Sequence, residues 1–191
     1  MLARSFTKHS LVSAATVATL LCCAASARAE LVVNGGFETG DLSGWTTSIN
    51  PVYDAVDTIA PHDGTYGAYF GNSSVSTISQ SLATMAGSHY VLSFWLMNEA
   101  DVTGASAPNS FAVAFDGVTA LSFTDAPAFD YTLYTLFFDG TGGAVNLSFA
   151  ASQTVAFWDL DSVSVNVPEP DGLALAGLAG LLALGASRRR R

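Results

Sequence analysis

Short runs of residues between positions 30 and 167 place an apolar side chain at every second position, and no stretch there shows helical periodicity. The clearest runs place apolar side chains at Tyr90, Leu92, Phe94 and Leu96; at Phe111, Val113 and Phe115; and at Val145, Leu147 and Phe149. Turn sequences rich in Gly, Asn and Asp separate the runs. The pattern predicts an all-β fold, a two-sheet antiparallel jelly-roll sandwich of roughly eight or nine strands.

The N-terminal segment, residues 1–29, is typical of a secretory signal peptide. Arg4 and Lys8 form a short basic region, an apolar run follows, and Ala27 and Ala29 form a small-x-small cleavage site. The apolar run is short for a membrane anchor, which is the alternative. We therefore expect signal peptidase to release a mature chain that begins near Glu30, without either of the two cysteines, Cys22 and Cys23.

The C-terminal segment, residues 168–191, has three parts in a fixed order. Pro168, Glu169 and Pro170 come first, and an apolar run from Gly172 to Ser187 follows. The chain then ends in a basic cluster consisting of Arg188, Arg189, Arg190 and Arg191. As a single hydrophobic helix, the apolar run would span about 24 Å, and the arginines would fix its end on the cytoplasmic side. An ordinary single-span anchor is one interpretation of this segment.

A more specific interpretation is a sorting signal, because the three parts in this order resemble the PEP-CTERM tail of Gram-negative bacteria. The resemblance implies that an exosortase recognises the tail and removes it. It further implies that the protein is anchored in the inner membrane before processing and then reaches the cell surface or the extracellular matrix.

The charge of the chain is distributed very unevenly. All sixteen Asp and Glu lie between Glu30 and Ser187, and all seven Lys and Arg lie outside that span. The formal net charge of −9 therefore conceals a central region of −16. Such a surface repels phosphate backbones and excludes nucleic acid as a partner. Cations, and neutral hydrogen-bonding molecules such as sugars, are partners that this acidic surface does not exclude.

Three segments of the central region resemble galactose-binding-like jelly rolls. They are the opening motif 34–40 with the Gly-Trp that follows it, the turn 62–66, and the closing strand 156–165. The resemblance implies one β-sandwich domain over residues 30–167. Carbohydrate-binding modules share this fold, but a fold alone does not specify an activity.

The same resemblance implies a structural calcium ion where the first strand meets the last. The matching ligands are Glu38 and Asp161, with backbone carbonyls from the Gly64 turn. Ser162 stands where the family often has a second acid, which leaves Asp159 as a substitute ligand. Calcium prefers six to eight oxygen ligands, and a domain without Lys or Arg has few other ways to neutralise converging carboxylates. A set of solvated acidic turns is the alternative.

Catalysis has little support in the central region. It contains no Lys, Arg or Cys, and its histidines are His62, in a turn, and His89, at the start of a strand. We therefore expect no enzyme. Sugar binding would need an exposed aromatic ring, and seven aromatic residues are available: Trp45, Tyr53, Tyr66, Tyr69, Trp95, Tyr131 and Tyr134. Core packing is the more common role for each, so no sugar-binding residue is assigned.

Two functions follow for a secreted, exosortase-sorted surface protein. The first is a structural role in the cell envelope or matrix. The alternative is a specific carbohydrate-binding module that recognises extracellular polysaccharide. An exposed aromatic side chain flanked by polar groups would distinguish them, because only the module needs one.

Overall fold

The structure, a computed structural model, describes residues 30–167, where it contains ten strands and no helix. The strands are β1 (Thr46–Ser48), β2 (Asp54–Asp57), β3 (Gly67–Phe70), β4 (Ser76–Ala83), β5 (His89–Asn98), β6 (Asn109–Phe115), β7 (Val118–Thr124), β8 (Phe129–Asp139), β9 (Ala144–Gln153) and β10 (Trp158–Asn166). Nothing within the described range is a helix long and apolar enough to cross a membrane. The predicted signal peptide and sorting tail lie outside the described residues.

The strands form two five-stranded antiparallel sheets, which confirms the predicted all-β sandwich. The order is β1-β4-β9-β6-β7 in the first sheet and β2-β3-β10-β5-β8 in the second. The strand count exceeds the prediction because β1 and β2 have only three and four residues. Strands that short show no alternation in the sequence.

The predicted alternation places one face of each long strand in the core between the sheets. Tyr90, Leu92, Phe94 and Leu96 of β5 are all at most 2% exposed. Aromatic rings fill the centre, where Phe111 and Trp158 have ring centroids 5.3 Å apart. Such offset aromatic pairs add stability beyond the area they bury.

The two-residue turn between β6 and β7 is the predicted Asp116-Gly117. Both residues have positive φ angles, 49° and 79°. This backbone matches the twist of a tight hairpin and favours Asp followed by Gly.

The opening motif and the residues just before it lie beside β10, and backbone hydrogen bonds join them to that strand. Leu31 N donates to Val165 O at 3.2 Å, and Val163 N donates to Gly35 O at 2.9 Å. At this point β10 has a bulge after Asp161, since its register to β5 shifts there. The bulge increases the local bend of the strand and leaves an unpaired backbone segment that the opening motif uses.

We expect Gly35→Ala to destabilise the fold far more than Gly36→Ala. A Cβ at Gly35 would lie 1.9 Å from Val163 O, whereas at Gly36 the nearest atom is the Cγ of Glu38 at 3.8 Å. The clash should cost roughly 2–3 kcal/mol of unfolding free energy. Thermal unfolding of both variants of the full chain measures this, and equal losses would contradict the close approach to β10.

Candidate functional site

The outer face of the second sheet is covered by the loop 58–66, which connects β2 to β3. Asp159 and Asp161 point to this face because the neighbouring Trp158 and Leu160 point into the core. Both aspartates are nevertheless buried. Tyr131 of β8 holds the loop from the other side, since its hydroxyl donates to Ala60 O at 2.6 Å.

Asp161 fixes the middle of this loop. Its Oδ2 accepts hydrogen bonds from the backbone N–H groups of His62 (2.9 Å) and Asp63 (3.0 Å), and its Oδ1 accepts one from Ser162 N. The His62 ring stacks on Trp95, with centroids 3.8 Å apart and an interplanar angle of 15°. The predicted turn histidine therefore covers one face of the half-buried Trp95 ring.

Glu38 fixes the end of the loop in the same way. Its Oε1 accepts hydrogen bonds from Thr65 N at 2.9 Å and Tyr66 N at 3.0 Å. Gly64 lies directly over this carboxylate, since a Cβ there would come within 2.3 Å of Oε1. Its φ of +69° is a second reason why this position requires glycine.

The structure thus brings two of the three predicted calcium ligands, Glu38 and Asp161, into hydrogen bonds with one loop. Asp159 lies beside Ile59 and Ala60 at the start of the same loop but makes no hydrogen bond to it. No group of three or more His, Cys, Asp or Glu side chains between residues 30 and 167 is arranged to hold a metal ion. Three of the four carboxylate oxygens of Glu38 and Asp161 accept hydrogen bonds from backbone N–H groups, whose partial positive charge compensates them. The two carboxylates therefore hold the loop through its backbone N–H groups. Calcium binding at this place stays a prediction.

Beside the loop lies a pocket of about 250 Å³ that we call the acidic-aromatic pocket. Aromatic rings and carboxylates from five separate segments of the chain converge on it. Its lining consists of Val52, Tyr53, Asp57, Ile59, Ala60, Tyr69, Glu99, Phe157 and Asp159. The volume approaches the roughly 300–1,000 Å³ of small-molecule sites, so it suits a single sugar-sized group.

Tyr53, Tyr69 and Phe157 form the aromatic wall of this pocket, and two of them contact Gly71. The Phe157 ring packs edge-on against Tyr69, with centroids 5.5 Å apart, and lies so close to Gly71 that a Cβ there would be 2.3 Å from its Cε1. Gly71 N also donates to Tyr53 O at 2.9 Å. Half of the Tyr53 surface and 38% of Phe157 are exposed at the mouth of the pocket.

The buried Asp54 holds the loop that carries Tyr53. Asp54 Oδ2 accepts a hydrogen bond from Asn50 N at 2.9 Å, and Oδ1 accepts from Gly71 N and Asn72 N at 3.1 and 3.2 Å. One carboxylate therefore fixes both sides of the aromatic wall. Because these hydrogen bonds hold the backbone next to the exposed rings, less conformational entropy is lost when a ligand binds.

The electrostatics of the pocket are unusual because residues 30–167 contain no Lys or Arg that could pair with its acids. Asp159 is only 3% exposed, and burial raises its pKa to about 8, with further contributions from Glu99 and Asp57. Burial and the nearby Asp57 also raise the pKa of Glu99. Burial raises the pKa of Tyr131, and Asp159 is the largest charged contributor to that shift. Burial and the neighbouring acids thus both favour the protonated, neutral form of Asp159.

Sequence reasoning found some of these residues but not their grouping. Tyr53 and Tyr69 are among the seven aromatic candidates, whereas Asp57, Glu99 and Phe157 carried no signal of their own. They meet because β2, β3 and β10 are neighbours in the second sheet and Phe157 O accepts from Glu99 N at 2.9 Å.

The remaining candidates have structural positions. Trp45 is 7% exposed and stacks on Phe37, with centroids 6.0 Å apart. Tyr134 packs on Phe94 at 5.6 Å. His89 is the first residue of β5, and its exposed Nδ1 lies 2.6 Å from Asp139 Oδ1.

The tail of the chain can be compared with known sequences. Residues 166–191 match the PEP-CTERM protein-sorting motif. The motif implies export, processing by an exosortase and sorting to the cell surface of a Gram-negative bacterium. This confirms the resemblance seen in the Pro-Glu-Pro, apolar and arginine segments. No curated protein sequence matches the chain.

Solved structures with the same fold include carbohydrate-binding modules. TmCBM61, in complex with β-1,4-galactotriose, has a TM-score of 0.58 and 16% identity, with 73% of this chain and 99% of that chain covered. A family 16 carbohydrate-binding module has a TM-score of 0.52 and 17% identity, with coverages of 71% and 98%. The K3 cleaved adhesin domain of Lys-gingipain from Porphyromonas gingivalis W83 has a TM-score of 0.51 and 18% identity, covering 72% and 99%. These likenesses establish the jelly-roll fold.

The buried acid makes the protein less stable as the pH rises. Asp159 has a folded pKa of about 8, far above its ordinary value, so between about pH 4 and pH 8 the folded protein holds a proton that the unfolded chain has lost. Stability should fall across this window, and the raised pKa of Asp161 acts in the same direction. We expect Asp159→Asn to flatten the dependence of Tm on pH and to raise Tm by several degrees at pH 8. Asp125→Asn, at an exposed acid, is the control, and an unchanged slope in Asp159→Asn would contradict the assignment.

A second test concerns the anchored loop and the predicted calcium ion. Glu38→Gln keeps the oxygen but removes the charge that strengthens two amide hydrogen bonds, so we expect a loss of about 1–2 kcal/mol in unfolding free energy. The melts are run in millimolar calcium and again in chelator. A calcium-dependent rise of Tm that disappears in Glu38→Gln and Asp161→Asn would confirm the calcium prediction, and identical melts would contradict it.

Proposed function

We propose that this exported, exosortase-sorted protein is a non-catalytic surface protein that binds extracellular polysaccharide in the acidic-aromatic pocket. The observation that carries the proposal is a pair of exposed aromatic rings, Tyr53 and Phe157, beside the carboxyl groups of Asp57 and Glu99. This is the feature that distinguishes a binding module from a purely structural matrix domain.

The chemistry of the pocket suits a carbohydrate. A pyranose ring has an apolar face that packs on an aromatic ring and hydroxyl groups at its edge that donate hydrogen bonds to carboxylates. Tyr53 and Phe157 offer the first kind of contact, and Asp57 and Glu99 offer the second. The likeness to TmCBM61, solved with β-1,4-galactotriose, supports the same function.

The position of the pocket also suits a surface protein. The sorting motif begins at the last residue of β10, Asn166. At the other end of that strand, Phe157 directly precedes it and Asp159 is its second residue. A structural role in the matrix is compatible with this proposal, since a displayed domain that binds polysaccharide links the cell to its matrix.

The proposal predicts that the full chain in mild detergent binds the extracellular polysaccharide of its own producer. We expect Tyr53→Ala to weaken this binding at least tenfold, which corresponds to about 1.4 kcal/mol. Phe137→Ala is the matched control, because Phe137 is 74% exposed on β8 and does not line the pocket.

Affinity electrophoresis with the polysaccharide in the gel measures both variants, with calcium and then with chelator. Tyr53 is half exposed, so its loss should leave the fold intact. Binding that is equal in wild type, Tyr53→Ala and Phe137→Ala would place the contact elsewhere. No binding in either condition would leave only the structural role.

A further inference from the structure

The outer face of the first sheet carries only small, uncharged side chains. On each of its five strands, the residues that point away from the core are Ser, Thr, Ala or Asn. Each of these residues is half-buried or exposed, so no described loop covers the face. The strand register aligns them in rows, and one row that crosses all five strands consists of Ser48, Thr77, Ala150, Ala112 and Ser122.

The acids of the domain avoid this sheet. Within residues 30–167, the five strands of the first sheet contain no titratable residue. The strands of the second sheet contain Asp54, Asp57, Asp130, Asp139, Asp159 and Asp161. Two copies of so acidic a domain repel each other through their carboxylates. The outer face of the first sheet is therefore the surface through which two copies can approach with the least repulsion.

The acids nearest to this face along the chain lie at its rim. Asp116 and Asp125 flank the edge strand β7, and each accepts a hydrogen bond from a backbone N–H group, that of Asn146 and that of Asn109. The middle of the face, on β4, β9 and β6, is thus separated from every acid of the described chain by uncharged side chains.

The chemistry of the face is complementary to itself. A Ser or Thr hydroxyl can both donate and accept a hydrogen bond, so two such surfaces can satisfy each other, whereas two surfaces of carboxylates cannot. Ser110 Oγ and Ser152 Oγ, 2.8 Å apart, already pair in this way between neighbouring strands. Alanine side chains lose no rotamer freedom when they are buried, and short side chains let two sheets approach closely.

The size of the face matches what a specific dimer needs. Five strands about 4.8 Å apart, with about seven residues each at about 3.3 Å, give a face of roughly 500 Å². Two copies packed face to face therefore bury roughly 1,000 Å² in total, which is about the minimum for a specific interface. A sugar fits this face less well, because its outward side chains include no aromatic ring on which a pyranose could pack.

We propose that the protein forms a two-fold symmetric dimer in which the outer faces of two first sheets pack against each other. The two-fold axis passes near Ser148, which lies in the middle of the central strand β9. The second sheets then form the outside of the dimer, and the two acidic-aromatic pockets face in opposite directions. A dimer of this kind joins two polysaccharide chains. Only this last consequence rests on the proposed function.

Sedimentation velocity of the full chain in density-matched mild detergent tests the dimer. We expect a reversible monomer–dimer equilibrium with a Kd in the micromolar range, as suits an interface of this size. The acids on the outside of the dimer still repel each other, so about 1 M salt, where the Debye length is about 3 Å, should strengthen the dimer. A wild type that stays monomeric across the concentration series at both salt concentrations would overturn the proposal.

A matched pair of substitutions locates the contact. Ser148 and Ser93 are both half-buried, outward-facing serines in the middle of interior strands, the first in the first sheet and the second in the second sheet. Ser148→Arg places like charges beside the axis in both copies and should raise the Kd at least tenfold. Ser93→Arg should dimerise like the wild type. A Kd that changes equally in both variants, or in neither, would overturn the assignment to this face.

A pair of opposite charges distinguishes a broken interface from a misfolded domain. Ser148→Glu should also be monomeric, whereas an equal mixture of Ser148→Arg and Ser148→Glu should form a heterodimer, because opposite charges then meet at the axis. Native mass spectrometry separates this heterodimer from either homodimer by mass, and thermal melts establish that both variants are folded. Folded variants that do not pair in the mixture would contradict the two-fold arrangement.

The outcomes are distinguishable from those of the proposed function. Monomeric Ser148→Arg should still bind the producer's polysaccharide but should no longer cross-link it, and Tyr53→Ala should dimerise like the wild type. A wild type that binds polysaccharide as a monomer would overturn the dimer alone. A wild type that dimerises without binding polysaccharide would overturn the proposed function alone.

Discussion

The domain must neutralise its carboxylates without a single Lys or Arg between residues 30 and 167, and this constraint shapes most of the structure. Fourteen of the sixteen acids lie in residues 30–167, since only Glu169 and Asp171 fall beyond them. Backbone N–H groups take the place of Lys and Arg. Asp161 accepts three such bonds, and Asp54 and Glu38 accept others. Each bond also holds a loop, so the solution to the charge problem fixes the loops around the sheet.

This use of carboxylates explains how loops become rigid in a fold without disulfides or metal ligands from cysteine. A carboxylate that accepts amide hydrogen bonds from a distant segment joins two parts of the chain with charge-assisted bonds. Asp161 and the loop 58–66 are separated by about one hundred residues in sequence, and the Asp161 side chain that joins them is fully buried. The bond to His62 N also holds the His62 ring on Trp95. The acidic-aromatic pocket lies beside the loop that these bonds fix.

The sequence predicted the architecture well and the pocket hardly at all. Alternation in β5, β6 and β9 and the Asp116-Gly117 turn are local signals, and each appears in the structure as expected. The pocket depends on register instead. Tyr69 and Asp159 are opposite each other across β3 and β10, a relation that no local pattern encodes. Glu38 and Asp161 were brought together by a resemblance, which located the contact but could not show that amides occupy their oxygens.

Asp159 is the exception to the rule that amides satisfy the buried acids, and the exception points to function. An asparagine would have nearly the same shape at this position without placing an ionisable group in the interior. The core contacts of this part of β10 come from Trp158 and Leu160 on either side of the acid, both fully buried. Asp159 lines a pocket in which Tyr53 and Phe157 are exposed. A buried acid in that position is best understood as part of a binding site.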